Sequence, residues 1–363
     1  MLAISMVIMV GKILDPSADI LIHWGHGAAY LLALLSGAMM LLCVLPMLWL
    51  FRQPDKSLFD HLFEQFGNVI GSIVGLLLLL ALLIDICTTL RLDVHQIEVA
   101  FLPTTSPILI VMIYVAAMSL PVYFGIEGLG RSNLIMFVLL FITLISLLLF
   151  MLTRAHLSYM PPVLGPGLPN LLQQGVLHLG FFAEMLLFFI FRPYLRTYRE
   201  FRWSFLTGYI ASVLWIALAL FVFNLVIPYP TSDHLMYPFL ESAKIVYFGR
   251  FIQHIEAVYA VAWVASSLIR LNIFIFAASL LCAELLRTAN YRRFIAVVGA
   301  ISFYGSLIPP SIMSDLSFKD IVSMQRSFLL YVSIPLALGL VAYIRKWRQK
   351  RNGKTGQALQ NQA

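Results

Sequence analysis

The chain has 363 residues, of which 61% are hydrophobic and 11% charged, whereas a water-soluble domain is about 45–50% apolar and about 25% charged. That composition excludes a soluble domain, a disordered chain and a collagen-like one. The formal charge of +7 gathers in short loops and a tail, which excludes a nucleic-acid face and reports membrane topology instead.

A stretch of about 20 apolar residues crosses the ~30 Å of bilayer hydrocarbon, and about ten such stretches follow one another. They run over 1–22, 27–51, 69–92, 106–126, 133–153, 172–192, 204–227, 252–286, 292–310 and 327–345. No basic region precedes the first, and Lys12 follows its apolar run, so a cleaved signal peptide is not expected. Over 57–66, Leu58, Phe59, Leu62, Phe63 and Phe66 fall at helical spacing with acids opposite, which predicts an interfacial helix. Tyr237 to Val246 is a similar short piece, placed as a cap on the outer face. Lys and Arg concentrate after the even-numbered stretches, at Arg52, Lys56, Arg131, the run from Arg192 to Arg202, Arg287 to Arg293, and a tail from Arg345. The opposite loops hold few, Lys319 and Arg326 among them. The positive-inside rule then places both termini in the cytoplasm, with 346–363 as a basic cytoplasmic tail. Cys43, Cys87 and Cys282 lie in apolar runs without C-x-x-C spacing and point to neither disulfide nor metal. His23 and His26 flank Trp24, a composition suited to the membrane interface.

Ionisable side chains inside a membrane are costly and face a bundle interior or an aqueous cavity. Lys12, Asp85, Glu184 and Arg270 fall at mid-depth, two bases and two acids that can neutralise one another, with Asp15 close to Lys12. Read blandly, they form an ion-pair network that fixes helix register. Backbone signals argue for more. The first stretch breaks between Gly11 and Pro16, since proline removes a helix hydrogen bond, and the sixth carries Gly180 with Glu184 one turn later. These two stretches open two five-helix halves, 1–153 and 171–345, and paired interruptions at corresponding positions predict an inverted repeat around a midplane binding site. An interrupted helix presents free N–H and C=O groups to a small ligand without burying a full charge. A zwitterion suits such a site. Its carboxylate would meet the half-helix after Gly11, its ammonium would meet carbonyls or Glu184, and its side chain would lie against Phe181, Phe182 and the third stretch at Thr88. The expected ligand-binding set is Gly11, Lys12, Asp85, Thr88, Gly180, Phe181, Phe182, Glu184 and Arg270, with no metal, cofactor or catalytic group. Nucleophile–base pairs and phosphate loops at interpretable spacing are missing from the sequence, so an enzyme is not expected.

Tyr237-Pro238-Phe239-Leu240-Glu241, then Gly249-Arg250-Phe251-Ile252-Gln253-His254-Ile255-Glu256-Ala257, then Trp263 and Arg270 form a distinctive succession. With Gly125-Ile126-Glu127-Gly128-Leu129-Gly130-Arg131, Leu90-Arg91, Phe101-Leu102-Pro103, Pro166-Gly167 and Phe188 to Pro193, they run over almost the whole chain. In these residues the chain resembles the spore germination permease family, the B subunits of Ger-type germinant receptors, within the amino acid, polyamine and organocation transporter superfamily. The resemblance implies an all-α transporter-like fold of about ten helices in a 5+5 inverted repeat. It implies a receptor in the spore inner membrane that binds a small nutrient germinant, typically an amino acid, without cofactor. The partners it implies are an A subunit that forms the channel and a C subunit that is a surface lipoprotein. Lys12 departs from the family, which has a small or polar residue there. Three readings of it stand open: a fixed ammonium in place of a coupling cation, a contact for the germinant's carboxylate, or an ion pair with Glu184 or Asp85. A secondary amino acid transporter is the alternative function, and a membrane scaffold with a vestigial site is a third.

Overall fold

The computed structural model describes residues 6, 8–52, 56–160, 162–245, 255–308, 317–321 and 331–345. Among these residues there is no strand. Six helical stretches are long and apolar enough to cross a membrane: Ser17–Leu50, Leu58–Ala100, Pro107–Leu152, Leu168–Tyr194, Tyr198–Val226 and Tyr259–Leu285. The protein is an integral membrane protein: these helices are long and apolar enough to cross a bilayer, and a helix satisfies its backbone hydrogen bonds internally where lipid offers none.

Three of the six stretches are broken by a residue with positive φ. His26 (φ 50°, ψ −134°) separates α1, Ser17–Gly25, from α2, Ala29–Leu50. Gly67 (φ 80°, ψ 174°) kinks α3, Leu58–Ala100. Gly125 (φ 77°, ψ −171°) ends α4, Pro107–Ser119, and its 3₁₀ extension Leu120–Phe124, and starts α5, Gly125–Leu152. Glycine takes such angles without a Cβ clash. The part of α3 before Gly67 is the predicted amphipathic piece. It opens on a capping box in which Ser57 Oγ accepts from Asp60 N–H at 3.2 Å and Asp60 Oδ2 accepts from Ser57 N–H at 2.8 Å. Leu58, Phe59 and Leu62 are buried while Asp60 and Glu64 are exposed. Its last carbonyls, left without helical donors by the kink, accept from Arg345 of α11, Tyr331–Arg345: Glu64 O at 2.6 Å and Gln65 O at 3.1 Å.

The second part of the chain runs α6, Leu168–Leu177; a 3₁₀ helix, Leu179–Tyr194; α7, Tyr198–Val226; α8, Pro238–Ile245; α9, Ile255–Leu285; and α10, Arg292–Ser306. Helix α9 is the hub, packed against α3, α4, α5, α8 and α10. Helix α8 carries the start of the distinctive motif. Its Phe239 and Leu240 are buried, and just ahead of it the Tyr237 hydroxyl lies 2.5 Å from His95 Nδ1 on α3. Burial pushes the Tyr237 hydroxyl up from its ordinary range, so it stays protonated and can donate. Gly249–His254, Arg326 and the basic tail beyond Arg345 lie outside the described residues.

Candidate functional site

Two elements of irregular pitch meet at the centre. In the first, helical residues 8–10 give way to a single 3₁₀ turn, Gly11–Ile13, and then to a turn over 14–16 before α1 begins. Pro16 has no N–H to continue a helix ladder. The Leu14 carbonyl accepts instead from the Tyr259 hydroxyl of α9 at 2.6 Å, and Asp15 Oδ1 accepts from Ser17 N–H at 2.7 Å. Gly11 lies against Ser266 of α9, whose Oγ stands 3.5 Å from where a Cβ would be. In the second element, α6 stops at Leu177, and after His178 (φ −100°, ψ 23°) the backbone continues as 3₁₀ helix for 16 residues. Runs of 3₁₀ helix beyond three or four residues are uncommon, and such stretches often mark functional hinges.

Side chains bridge the two elements. Lys12 Nζ donates to Glu184 Oε1 at 2.6 Å and to the Phe181 carbonyl at 2.5 Å, and lies 4.8 Å from the centroid of the Phe181 ring. Arg270 Nη1 donates to Asp15 Oδ2 at 2.5 Å and Nη2 to Thr89 Oγ1 at 3.1 Å, while Nε stands 3.9 Å from Glu184 Oε2. Lys319 Nζ adds a bond to Thr89 Oγ1 at 3.3 Å and lies 3.9 Å from Asp15 Oδ2. All these charges are buried. Opposite charges this close in a low-dielectric interior hold each other strongly, and removing one partner leaves its counterpart buried and uncompensated.

Of the residues expected from sequence, the structure gathers Lys12, Phe181, Glu184 and Arg270 directly, with Gly11 and Gly180 on the same two elements. Phe182 packs edge-on against Phe181, ring centroids 5.1 Å apart, and lies 6.1 Å from Tyr209 of α7. Asp85 lines a small cavity of about 30 Å³ with Glu184, Ala183, Leu82 and Tyr331. That is space on the scale of water, which occupies ≈ 30 Å³ in the liquid, against ~300–1,000 Å³ for a ligand pocket. The site is closed. Thr88 is not turned toward the network, for its hydroxyl donates to the Asp85 carbonyl on its own helix at 3.3 Å, and its neighbour Thr89 makes the contacts to Arg270 and Lys319.

The structure also corrects the placement of Lys319. Sequence alone puts it in an outer loop, but it is 1% exposed and part of the central network. Next to it, Asp320 accepts from Trp24 Nε1 of α1 at 3.1 Å and stands 3.2 Å from His178 Nε2, so this short segment docks on α1 and at the junction between α6 and the 3₁₀ helix. Beyond it lies a more open cavity of about 380 Å³, lined by Asp19, His23, Trp24, Asp233 and His234 among others. Sequence reasoning missed Asp93 although a signal existed: Asp85, Thr89 and Asp93 are spaced i, i+4, i+8 and so share one helix face.

A family model described as spore germination protein matches residues 1–313. A comparison with curated proteins finds no match. With its match over most of its length, the chain belongs to the spore germination protein family.

Proposed function

We propose that this germination-family membrane protein is the B subunit of a germinant receptor, which binds a small nutrient germinant, most simply an amino acid, between the two irregular elements. The observation that carries the reading is the Lys12–Glu184 pair, 2.6 Å long, which ties those elements together. A zwitterion offers both partners a substitute: its carboxylate competes for Lys12 and its ammonium for Glu184. Because the cavity beside Glu184 holds about 30 Å³, ligand entry requires the elements to part, and the ligand acts by favouring the parted state over the closed one. The 380 Å³ cavity at the far end of α1 supplies an approach. Partner A and C subunits would read out the shift, in the spore inner membrane.

The accompanying topology is about ten crossings in two halves, 1–153 and 171–345, with both termini cytoplasmic. The breaks at His26 and Gly125 support it, because the first falls in the loop that sequence places after residue 22 and the second lies one residue before the expected end of the fourth span. Gly11, Asp85, Gly180, Phe181, Phe182 and Arg270 complete the proposed binding set around Lys12 and Glu184, with Thr89 in the place that sequence gave to Thr88.

The test is a germinant screen on spores lacking this protein, followed by binding of each hit to the purified chain, wild type and Gly180→Leu. Binding lost in the variant supports a midplane site. Intact binding by Gly180→Leu, or no binding by wild type, places recognition elsewhere and leaves the chain an assembly role. Flux of labelled amino acid over many turnovers in liposomes would replace the receptor by a secondary transporter.

A further inference from the structure

Among the described residues, the central network does not balance with every acid ionised. Among the described residues, Lys12, Arg270 and Lys319 face Asp15, Asp85, Asp93 and Glu184, three bases against four acids, all buried. Asp320 stands apart, beside His178. A net charge enclosed at membrane depth is expensive, so an uncompensated carboxylate calls for a cation or a proton.

The surroundings of the four acids show which of them is short of a partner. Asp15 accepts from Arg270 and from the Ser17 N–H. Glu184 accepts from Lys12 and lies near Arg270. Asp85 lines the small cavity, where water can reach it. Among the described residues, Asp93 is bonded to no base. It is 0% exposed; Oδ2 accepts from the Ser267 hydroxyl of α9, and Oδ1 has no hydrogen-bond partner. Its surroundings place Arg270 on α9, Asp15 on the first irregular element and Lys319 within electrostatic range, none bonded to it. The hydroxyls of Tyr114 on α4, Tyr259 on α9 and Tyr237 ahead of α8 complete the shell.

The hydrogen-bond count fails at the same place. One turn along α3, Gln96 donates its Nε2–H to Tyr259 at 3.1 Å, which leaves Gln96 Oε1 buried without a donor. Asp93 Oδ1 and Gln96 Oε1 are two orphan acceptors spaced i, i+3 on one helix face. A carboxylate oxygen buried without a donor is costly, and so is an orphan amide oxygen. A single hydrogen placed on Asp93 turns an orphan acceptor into a donor and removes the excess negative charge. A metal cation would need several oxygen ligands, and among the described residues no group of acids and histidines could hold one.

We propose that Asp93 is a proton-binding site, a neutral carboxylic acid in the closed arrangement that gives up its proton when the network around Arg270 opens. The change between closed and open states is then proton-linked, whichever germinant drives it. Asp93 and its one hydrogen-bond partner, Ser267, lie on α3 and α9, so protonation of the closed state can be read without any ligand at Lys12 and Glu184.

The experiment is infrared spectroscopy of the purified full-length chain in lipid nanodiscs at neutral pH, reading the C=O stretch of an un-ionised buried carboxyl group. The expected result is a band in wild type that disappears in Asp93→Asn and persists in Asp85→Asn and Glu184→Gln. A band that survives Asp93→Asn, or disappears in Asp85→Asn or Glu184→Gln instead, overturns the assignment, as does its absence from wild type. Ser267→Ala guards against a misfolded Asn variant: it leaves the acid in place and removes its hydrogen bond, so the band should shift in frequency and not vanish. An unshifted band overturns the proposal as well.

Discussion

Pro107–Leu152 and Leu168–Tyr194 are both apolar enough to cross a membrane, but their surroundings are opposite. In the most apolar window of the first, 28% is buried inside the protein; in that of the second, 83% is. Mean hydropathy runs the other way, 3.1 against 1.7. The first stretch presents bulky aliphatics outward, Ile135 at 68% and Ile142 at 59% exposure, and its Arg131–Glu127 pair lies on the surface. The second encloses Glu184 and abandons α-helical pitch. In lipid the hydrophobic effect no longer sorts helices inward, so the most apolar stretch faces the tails and the less apolar one is held inside by its polar contacts. Apolarity here marks the outside, and chemistry sits in the enclosed minority.

The contrast is broken most severely by removing a charge from the enclosed side. Arg270→Met strips Asp15 and Glu184 of a shared partner and should cost about 3–5 kcal/mol, the usual penalty for orphaning a buried ion. Thermal unfolding of the purified protein and spore response would both report it. A normal protein level with a normal response would remove Arg270 from the structural centre. Lys12→Met alone should cost a similar amount, while Lys12→Met with Glu184→Leu should recover much of it, because an apolar pair of suitable volume can replace a buried ion pair. A double variant as unstable as the sum of the singles would mean that the pair is not coupled.

Smaller effects sharpen the same contrast. Gly11→Leu and Gly180→Leu should each raise the germinant concentration needed for half-maximal response about tenfold, ~1.4 kcal/mol, with membrane insertion intact. Gly11→Ala should stay near wild type, since its Cβ would meet Ser266 at an ordinary 3.5 Å. An unchanged dose response in both leucine variants would eliminate the binding site proposed there. The smallest effect belongs to the lipid-facing side, where Ile135→Val or Ile142→Leu on α5 should change stability by less than about 0.5 kcal/mol. A larger loss by thermal unfolding would mean that this face is covered by another protein chain.

Much of this was legible from the residues alone. Apolar length located the six long apolar stretches, the amphipathic spacing of Leu58 to Phe66 located the segment before Gly67, and Gly11 with Pro16 located the first break, since these depend on local sequence. What stayed hidden depends on distant partners. Lys319 sits in a short polar segment that reads as a loop, and its burial follows from a contact with Asp15 more than three hundred positions away. Thr88 and Thr89 are indistinguishable by composition, and helix phase, fixed by packing against α9, decides that the second faces Arg270. Asp93 lay on the same stripe as Asp85, but near the end of a long helix, where an acid ordinarily meets water.

The 3₁₀ pitch of Leu179–Tyr194 has a mechanical consequence. Each 3₁₀ residue advances ≈ 2.0 Å along the axis, against 1.5 Å in an α-helix, so these 16 residues reach about 8 Å farther than the same sequence wound as α-helix. Lys12 clamps this segment near its start, through the Phe181 carbonyl and Glu184. Were that clamp released and the segment to rewind to α-helical pitch, the element would contract like a drawn spring, and the basic run from Arg192 to Arg202 at its far end would travel with it.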